Sequence, residues 1–206
     1  MLSIHLQNIG KKYQKEWIFR NFTWQFNSQE SYAIVGGNGS GKSTLMQILA
    51  GILTANEGTT TYEYQQKNIS AEEIFSHLAW VSPHTELIED FTLAEMIDFQ
   101  RKFKPFQQNI STRTLAQAMY LETQMHKPIK YFSSGMKQRL KLGLAFWADC
   151  PLLLLDEPCS NLDQQAIDWY LTHVKSNAQS KLCVIASNQS YEYDFVSQII
   201  HIQHFK

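Results

Sequence analysis

Three features of this chain predict an α/β fold with a mostly parallel sheet. The first is an ordered apolar run, glycine-rich loop and apolar helix: Tyr32-Ala33-Ile34-Val35, then Gly36-Gly37-Asn38-Gly39-Ser40-Gly41-Lys42-Ser43-Thr44, then Leu45-Met46-Gln47-Ile48-Leu49-Ala50. The second is a pair of short runs, Leu152-Leu153-Leu154-Leu155 and Leu182-Cys183-Val184-Ile185-Ala186, apolar at every position. Strands that lack polar alternation are central ones, covered on both faces. The third is the alternation of strand-like and helix-like periods along the chain. With 206 residues and 44% hydrophobic content, the chain can bury the core of one compact domain, with or without a subdomain insert.

Taken in order, the strand pattern falls on residues 2–8, 17–26, 32–35, 59–64, 77–82, 152–156, 182–186 and 198–203. Between about 92 and 130 no strand pattern occurs. There Thr92 is followed three residues on by Glu95, the signature of a capped helix start, and residues 112–121 also read as helical. This stretch is a helical insert in the α/β core, punctuated by Pro105, Pro128 and Pro151, and the chain contains no internal repeat or low-complexity tract.

The glycine-rich loop carries the first chemistry. Its glycines let successive backbone N–H groups curl inward toward phosphate oxygens, and the helix behind it adds a positive N-terminal end. The full GxxxxGK[ST] pattern, preceded by a strand and followed by a helix, is the phosphate-binding loop, and a triphosphate is its natural occupant. Lys42 reaches the β- and γ-phosphates as a point charge, and the Ser43 hydroxyl takes a coordination position on Mg²⁺. A second phosphate-handling element follows the leucine run, at Asp156-Glu157-Pro158. A carboxylate at the end of a buried strand is costly unless a cation or hydrogen bonds compensate it. Asp156, at the carboxyl end of its strand, suits support of Mg²⁺ through water, and Glu157, one residue further, suits a general base on a water in line with the γ-phosphate.

Composition removes other classes. A net charge of −1 offers no electrostatic case for nucleic acid or an acidic lipid surface. No apolar run approaches the roughly 18 to 20 residues of a membrane span, and Met1 to Leu6 alternates like a strand instead of reading as a signal segment. A cytosolic chain is expected. Cys150, Cys159 and Cys183 lack metal spacing and sit beside core segments, so they read as buried free thiols. His5, His77, His126, His173, His201 and His204 show no ligand spacing with acids or cysteines.

Between the two phosphate elements lies Phe132-Ser133-Ser134-Gly135-Met136-Lys137-Gln138-Arg139-Leu140, which resembles an LSGGQ-type signature, and Ser160-Asn161-Leu162-Asp163 downstream resembles a D-loop. By the order and spacing of these four elements, the whole chain resembles the ATP-binding subunit of ABC transporters. The resemblance implies a P-loop NTPase core with an N-terminal antiparallel β subdomain. It also implies a single ABC-type ATP-binding domain over residues 1–206, whose helical subdomain, at about 92–148, carries the signature. It further implies that two such domains pack head to tail around two ATP and Mg²⁺. Each nucleotide then lies between the loop Gly36, Asn38, Gly39, Ser40, Gly41, Lys42, Ser43, Thr44 of one copy and Ser133, Ser134, Gly135 of the other. Asp163 falls at the dimer seam, Tyr13 matches the aromatic that stacks on adenine, and Trp17 is a second candidate for that contact.

Two positions depart from the family pattern. Where a glutamine follows the strand Ala79-Trp80-Val81, ungapped comparison puts Pro83, which has no side-chain donor or acceptor; His84 and Glu86 are nearby substitutes. At the switch position, usually histidine, stands Asn188, which can donate a hydrogen bond to the γ-phosphate but cannot carry charge or shuttle a proton. ATP binding with slow turnover is the expectation.

The work driven by ATP follows from the resemblance in three versions. One is the energy-coupling subunit of a membrane transporter, peripheral at the inner face of the membrane through a separate transmembrane permease, with Phe91, Phe99, Phe103 and Phe106 as candidate lining for a docking groove. Short stand-alone subunits of this kind resemble those of simple exporters, the haem-exporter type included, and no C-terminal regulatory domain is expected. The alternatives are a soluble non-transport ATPase of the same family and a binding-only scaffold.

Overall fold

The computed structural model describes residues 1–107 and 110–206, so residues 108 and 109 of the predicted helical insert lie outside the described residues. Two sheets organise the chain. The first is antiparallel, in the order β2-β1-β4-β5, built from β1 (Leu2–Tyr13), β2 (Glu16–Asn27), β4 (Glu57–Tyr64) and β5 (Lys67–Ile69). The second has the order β6-β7-β8-β3-β9, with every pairing parallel, built from β3 (Ser31–Val35), β6 (Leu78–Val81), β7 (Leu152–Asp156), β8 (Leu182–Ala186) and β9 (Gln198–His201). The helices are α1 (Lys42–Leu49), α2 (Leu93–Phe103), α3 (Thr112–Ala118), α4 (Ser134–Trp147) and α5 (Gln164–Ser180).

The unbroken apolar runs behave as their pattern requires. Every residue of β7 and β8 is buried, and alternate side chains enter two different cores. Leu152, Leu154, Leu182 and Val184 pack with α1 and the inner face of the antiparallel sheet. Leu153, Leu155, Cys183 and Ile185 pack with α2 to α5 on the opposite face. Period-two geometry thus turns one apolar run into the floor of both layers. The three cysteines are buried free thiols.

Several element boundaries differ from the sequence expectation, each for a local reason. β1 continues past residue 8 to Tyr13 because Asn8 adopts φ 52° and the pairing with β2 shifts there as a bulge instead of ending. β5, absent from the expectation, is reached through Gln65 and Gln66, both at positive φ, a hairpin turn without the usual glycine or asparagine signal. His77 ends a 3₁₀ turn instead of opening β6, with its ring against Tyr64 at 4.3 Å. β9 stops at His201, and a 3₁₀ turn then brings Phe205 onto Phe22 with ring centroids 4.6 Å apart. The capping box at the start of α2 forms as expected, with Thr92 accepting from the Glu95 backbone and Glu95 accepting from the Thr92 backbone.

Candidate functional site

The parallel sheet places the carboxyl ends of β3, β7 and β8 side by side, and the chemistry-bearing residues sit there. The loop from Gly36 runs directly off β3 into α1. The first bond of α1 is Leu45 N–H to Gly41 O at 2.9 Å, which leaves the N–H groups of the preceding turn without helical acceptors and pointing at the loop's concavity. Gly41 is the position that demands glycine. It adopts φ 105°, and a Cβ there would stand 2.5 Å from Ile18 Cγ2. Ile18, Asn38, Gly39, Ser40, Lys42 and Glu157 are among the residues that line the resulting cavity of about 320 Å³.

Lys42 is 6% exposed and its ammonium donates to Gly36 O at 2.8 Å, Gly37 O at 3.3 Å and Asn188 Oδ1 at 3.2 Å. Asn188 lies at the end of β8, and its Nδ2 donates to Asn38 Oδ1 at 2.7 Å. The carboxamide at the switch position therefore clasps the phosphate loop at two points. A phosphate group would replace neutral carbonyl oxygens around Lys42 with charged ones, a stronger partner for an ammonium.

Asp156 ends β7, is 3% exposed, and its Oδ1 has no hydrogen-bond partner among the described residues. Burial pushes its carboxyl above the ordinary range; the Ser43 hydroxyl opposes this, the charge of Glu157 adds to it, and Lys42 and His84 oppose it. A buried, unpartnered carboxylate oxygen beside a hydroxyl is the donor set a hard divalent cation takes up, so these residues fit Mg²⁺. Glu157 follows at φ 47°, a left-handed conformation rare for residues other than glycine, and its N–H donates to Ala186 O at 2.9 Å. It borders both the loop cavity and a neighbouring one of about 300 Å³ shared with Asn38, Ser160, Ser187, Asn188 and Glu192.

Ser133, Ser134 and Gly135 do not line either cavity. Ser133 caps α4, its hydroxyl accepting from Met136 N–H at 3.2 Å, and Ser133 and Ser134 are exposed at that helix N-terminus. Asp163 is likewise a cap, accepting from Ala166 N–H at 2.8 Å at the start of α5. Tyr13 closes β1 and is 48% exposed, with Lys11 Nζ 5.5 Å from its ring centroid. Trp17 is a poorer stacking surface than Tyr13, since Arg20 and Lys12 lie 4.4 and 5.1 Å from its ring centroid and Glu57 fixes Arg20 through two 2.8 Å bonds.

Beside the departure at Pro83, the backbone turns tightly, with Thr85 N–H donating to Ser82 O at 3.1 Å. Of the two nearby candidates, His84 acts electrostatically on Asp156, whereas Glu86 lines a different feature. That feature is an apolar groove of about 490 Å³ between β6 and the helices, lined by Phe75, Trp80, Met96, Phe99, Phe103 and Leu144 among others. Phe99 and Phe103 belong to it and Phe91 packs behind Phe99, but Phe106 is 5% exposed and part of the core, not the groove. Phe75, 60% exposed in the turn before β6, takes the place expected of Phe106. Sequence reasoning missed Phe75, because a lone aromatic in a turn carries no periodicity. It also missed Glu192, which is buried beside Glu157 in a stretch with no motif.

Comparison with known proteins accords with this arrangement. The family profile described as ABC transporter matches residues 19–160. The chain is 28% identical to the molybdate/tungstate import ATP-binding protein WtpC of Pyrococcus abyssi over 84% of its length and 50% of that protein. It is 31% identical to the Nod factor export ATP-binding protein I of Sinorhizobium fredii over 80% of its length and 49% of that protein. It thus spans about half the length of these relatives. The cytochrome c biogenesis ATP-binding export protein CcmA of Haemophilus influenzae is 26% identical, covering 80% of this chain and 78% of that one. Among solved structures, an ATP-binding subunit of an ABC transporter aligns with TM-score 0.81 at 20% identity, covering 97% of this chain and 86% of its own. A dimeric bacterial ABC transporter cassette aligns with TM-score 0.81 at 19% identity, covering 97% and 95%. With a phosphate loop, a strand-terminal Asp-Glu pair and this P-loop NTPase fold, the chain belongs to the ABC transporter ATP-binding family.

Proposed function

We propose that this chain is the ATP-binding and ATP-hydrolysing subunit of a membrane transporter, working as a head-to-tail pair around two ATP. The observation that carries the reading is the convergence of Lys42, Ser43, Asp156, Glu157 and Asn188 at the carboxyl ends of three adjacent parallel strands. Residues 1–206 act as one ATP-binding domain, in which the helical subdomain at about 92–148 carries the signature.

The loop N–H groups and the α1 N-terminus bind the phosphates, and Lys42 turns from its carbonyl partners to the β- and γ-oxygens. Ser43 and Asp156 would hold Mg²⁺, which neutralises charge developing on the phosphates when bound. Glu157 accepts the proton of the attacking water at the cavity mouth. Asn188 donates its Nδ2 hydrogen to the γ-phosphate in exchange for Asn38. Tyr13 stacks on the adenine. Ser133, Ser134 and Gly135, at the exposed N-terminus of a 14-residue helix away from this cavity, supply the anion contact to the nucleotide of the other copy. That separation is why one copy holds half a site. The groove bearing Phe75, Phe99 and Phe103 receives an amphipathic helix of a separate permease at the inner face of the membrane. No helix among the described residues is long and apolar enough to cross a membrane.

Steady-state ATPase activity across protein concentrations, with Mg²⁺, tests the reading. Activity should rise faster than linearly and vanish in Glu157→Gln with ATP still bound. A second reading, a binding-only scaffold, is favoured by Pro83, which has no side-chain donor or acceptor, and by Asn188, which cannot carry charge or shuttle a proton. Equal, negligible turnover in both proteins would select it.

A further inference from the structure

Glu157 sits at φ 47° without glycine's freedom, so neighbouring structure must impose that conformation. Its N–H is held by Ala186 O at 2.9 Å. The next two residues are held by side chains. Gln138 Nε2 donates to Pro158 O at 2.7 Å, and Glu192 Oε1 accepts from Cys159 N–H at 3.0 Å. Proline has no N–H, so its carbonyl is the backbone group left to grip.

We propose, resting on the hydrolytic reading above, that Gln138 and Glu192 are positioning residues that hold Glu157 over the phosphate loop, and that Gln138 ties the start of α4 to that carboxylate.

Both side chains are deeply buried, at 4% and 2% exposure, where polar groups persist only if they bond. Glu192 Oε2 has no hydrogen-bond partner among the described residues. Burial pushes its carboxyl up, the Ser187 hydroxyl and the Cys159 backbone and thiol oppose this, and the charge of Glu157 adds to it. An imperfectly satisfied buried acid is costly to keep, and the one backbone bond it makes falls on the residue two after Glu157. The turn bearing it is anchored in the core, as Glu192 O accepts from the Tyr170 hydroxyl at 3.0 Å.

Gln138 lies one turn beyond Ser134, on the same helix face. Its bond makes α4 and the Glu157 loop move together. In the head-to-tail pair, Ser133 and Ser134 meet the other copy's triphosphate while Glu157 meets its own. The Gln138 to Pro158 bond is then a direct route by which arrival of the second nucleotide seats the base at the first.

Gln138→Met and Glu192→Met remove the bonds at similar length, and Glu192→Gln keeps the acceptor. Amide hydrogen exchange over residues 157–162, ATP affinity and kcat are measured for each. Both methionine variants should exchange this segment about tenfold faster and lose about tenfold or more in kcat, with ATP affinity within about twofold of wild type. Glu192→Gln should stay near wild type. Unchanged exchange and kcat in the methionine variants would overturn the proposal. So would loss of kcat, affinity and melting temperature together, or equal damage in Glu192→Gln and Glu192→Met. If the unmodified chain turns over no faster than Glu157→Gln, the hydrolytic reading falls, and the exchange data alone decide the positioning.

Discussion

The Asn188 carboxamide oxygen accepts from the Lys42 ammonium at 3.2 Å, joining residues 146 apart in the chain at the point where the phosphate loop closes. A carboxamide does not titrate near neutrality, whereas imidazole titrates at about 6.5. Asn188→His should therefore add an inflection between about pH 6 and 7 to the ATPase profile relative to that of the wild type. His84, near Asp156, is common to both proteins, so the difference between the two profiles isolates position 188. Superimposable profiles would mean that this side chain does not reach the reacting phosphate.

Asp156 is held above the ordinary carboxylate range by burial, so its contribution to stability is present below the unfolded value and lost as pH rises through the folded one. Above that folded value the charged carboxylate, with Oδ1 unpartnered, destabilises the nucleotide-free chain. Asp156→Asn should melt a few degrees higher without ligand, and should lose the additional thermal shift that Mg²⁺ gives over ATP alone. Calorimetry with ATP and with MgATP checks both signs.

At Gly41 a side chain meets two penalties, a left-handed backbone at φ 105° and a Cβ 2.5 Å from Ile18 Cγ2. Gly41→Ala should lose roughly 2–4 kcal/mol in denaturant unfolding, with ATP binding falling below detection as the loop opens. A variant that folds as stably as wild type and binds ATP would show that the loop relaxes around the methyl group.

Lys181 is 2% exposed and caps the end of α4, its ammonium donating to Ala148 O at 2.8 Å and Phe146 O at 3.1 Å. Burial holds it down to about 8, against the opposing effects of Cys150, Cys183 and Asp149. The depressed folded value means stability is present above the unfolded value and lost as pH falls through about 8. Relative to Lys181→Met, the wild type should gain on the order of 3 kcal/mol between pH 8 and about 10.5 in urea unfolding. Parallel curves for the two proteins would place the ammonium in contact with water.

The phosphate loop, the leucine strand and the Asp156-Glu157 pair were legible in the sequence because their requirements are local. A left-handed turn calls for glycine at Gly41, a helix start exposes N–H groups, and a strand covered on both faces carries apolar residues throughout. Caps read equally well, as Thr92 with Glu95 shows. The Gln65-Gln66 turn lacks the usual turn residues, which hid β5, and the bulge that carries β1 past Asn8 depends on pairing with β2, which no local pattern shows. The aromatic series Phe91, Phe99, Phe103 and Phe106 has helical spacing, but spacing cannot say which ring faces the groove and which the core.

The sequence by itself determined that a strand, a phosphate loop and a carboxylate pair exist, since backbone sterics and solvation act within a few residues. Only the tertiary structure decided that Asn188 clasps Lys42 and Asn38, and that Gln138 and Glu192 grip the residues after Glu157. It also decided that Ser133 and Ser134 stand apart from the cavity they would serve. These relationships follow from the order β6-β7-β8-β3-β9, set by how the crossovers bury both faces of the sheet, and no short stretch of chain carries that information.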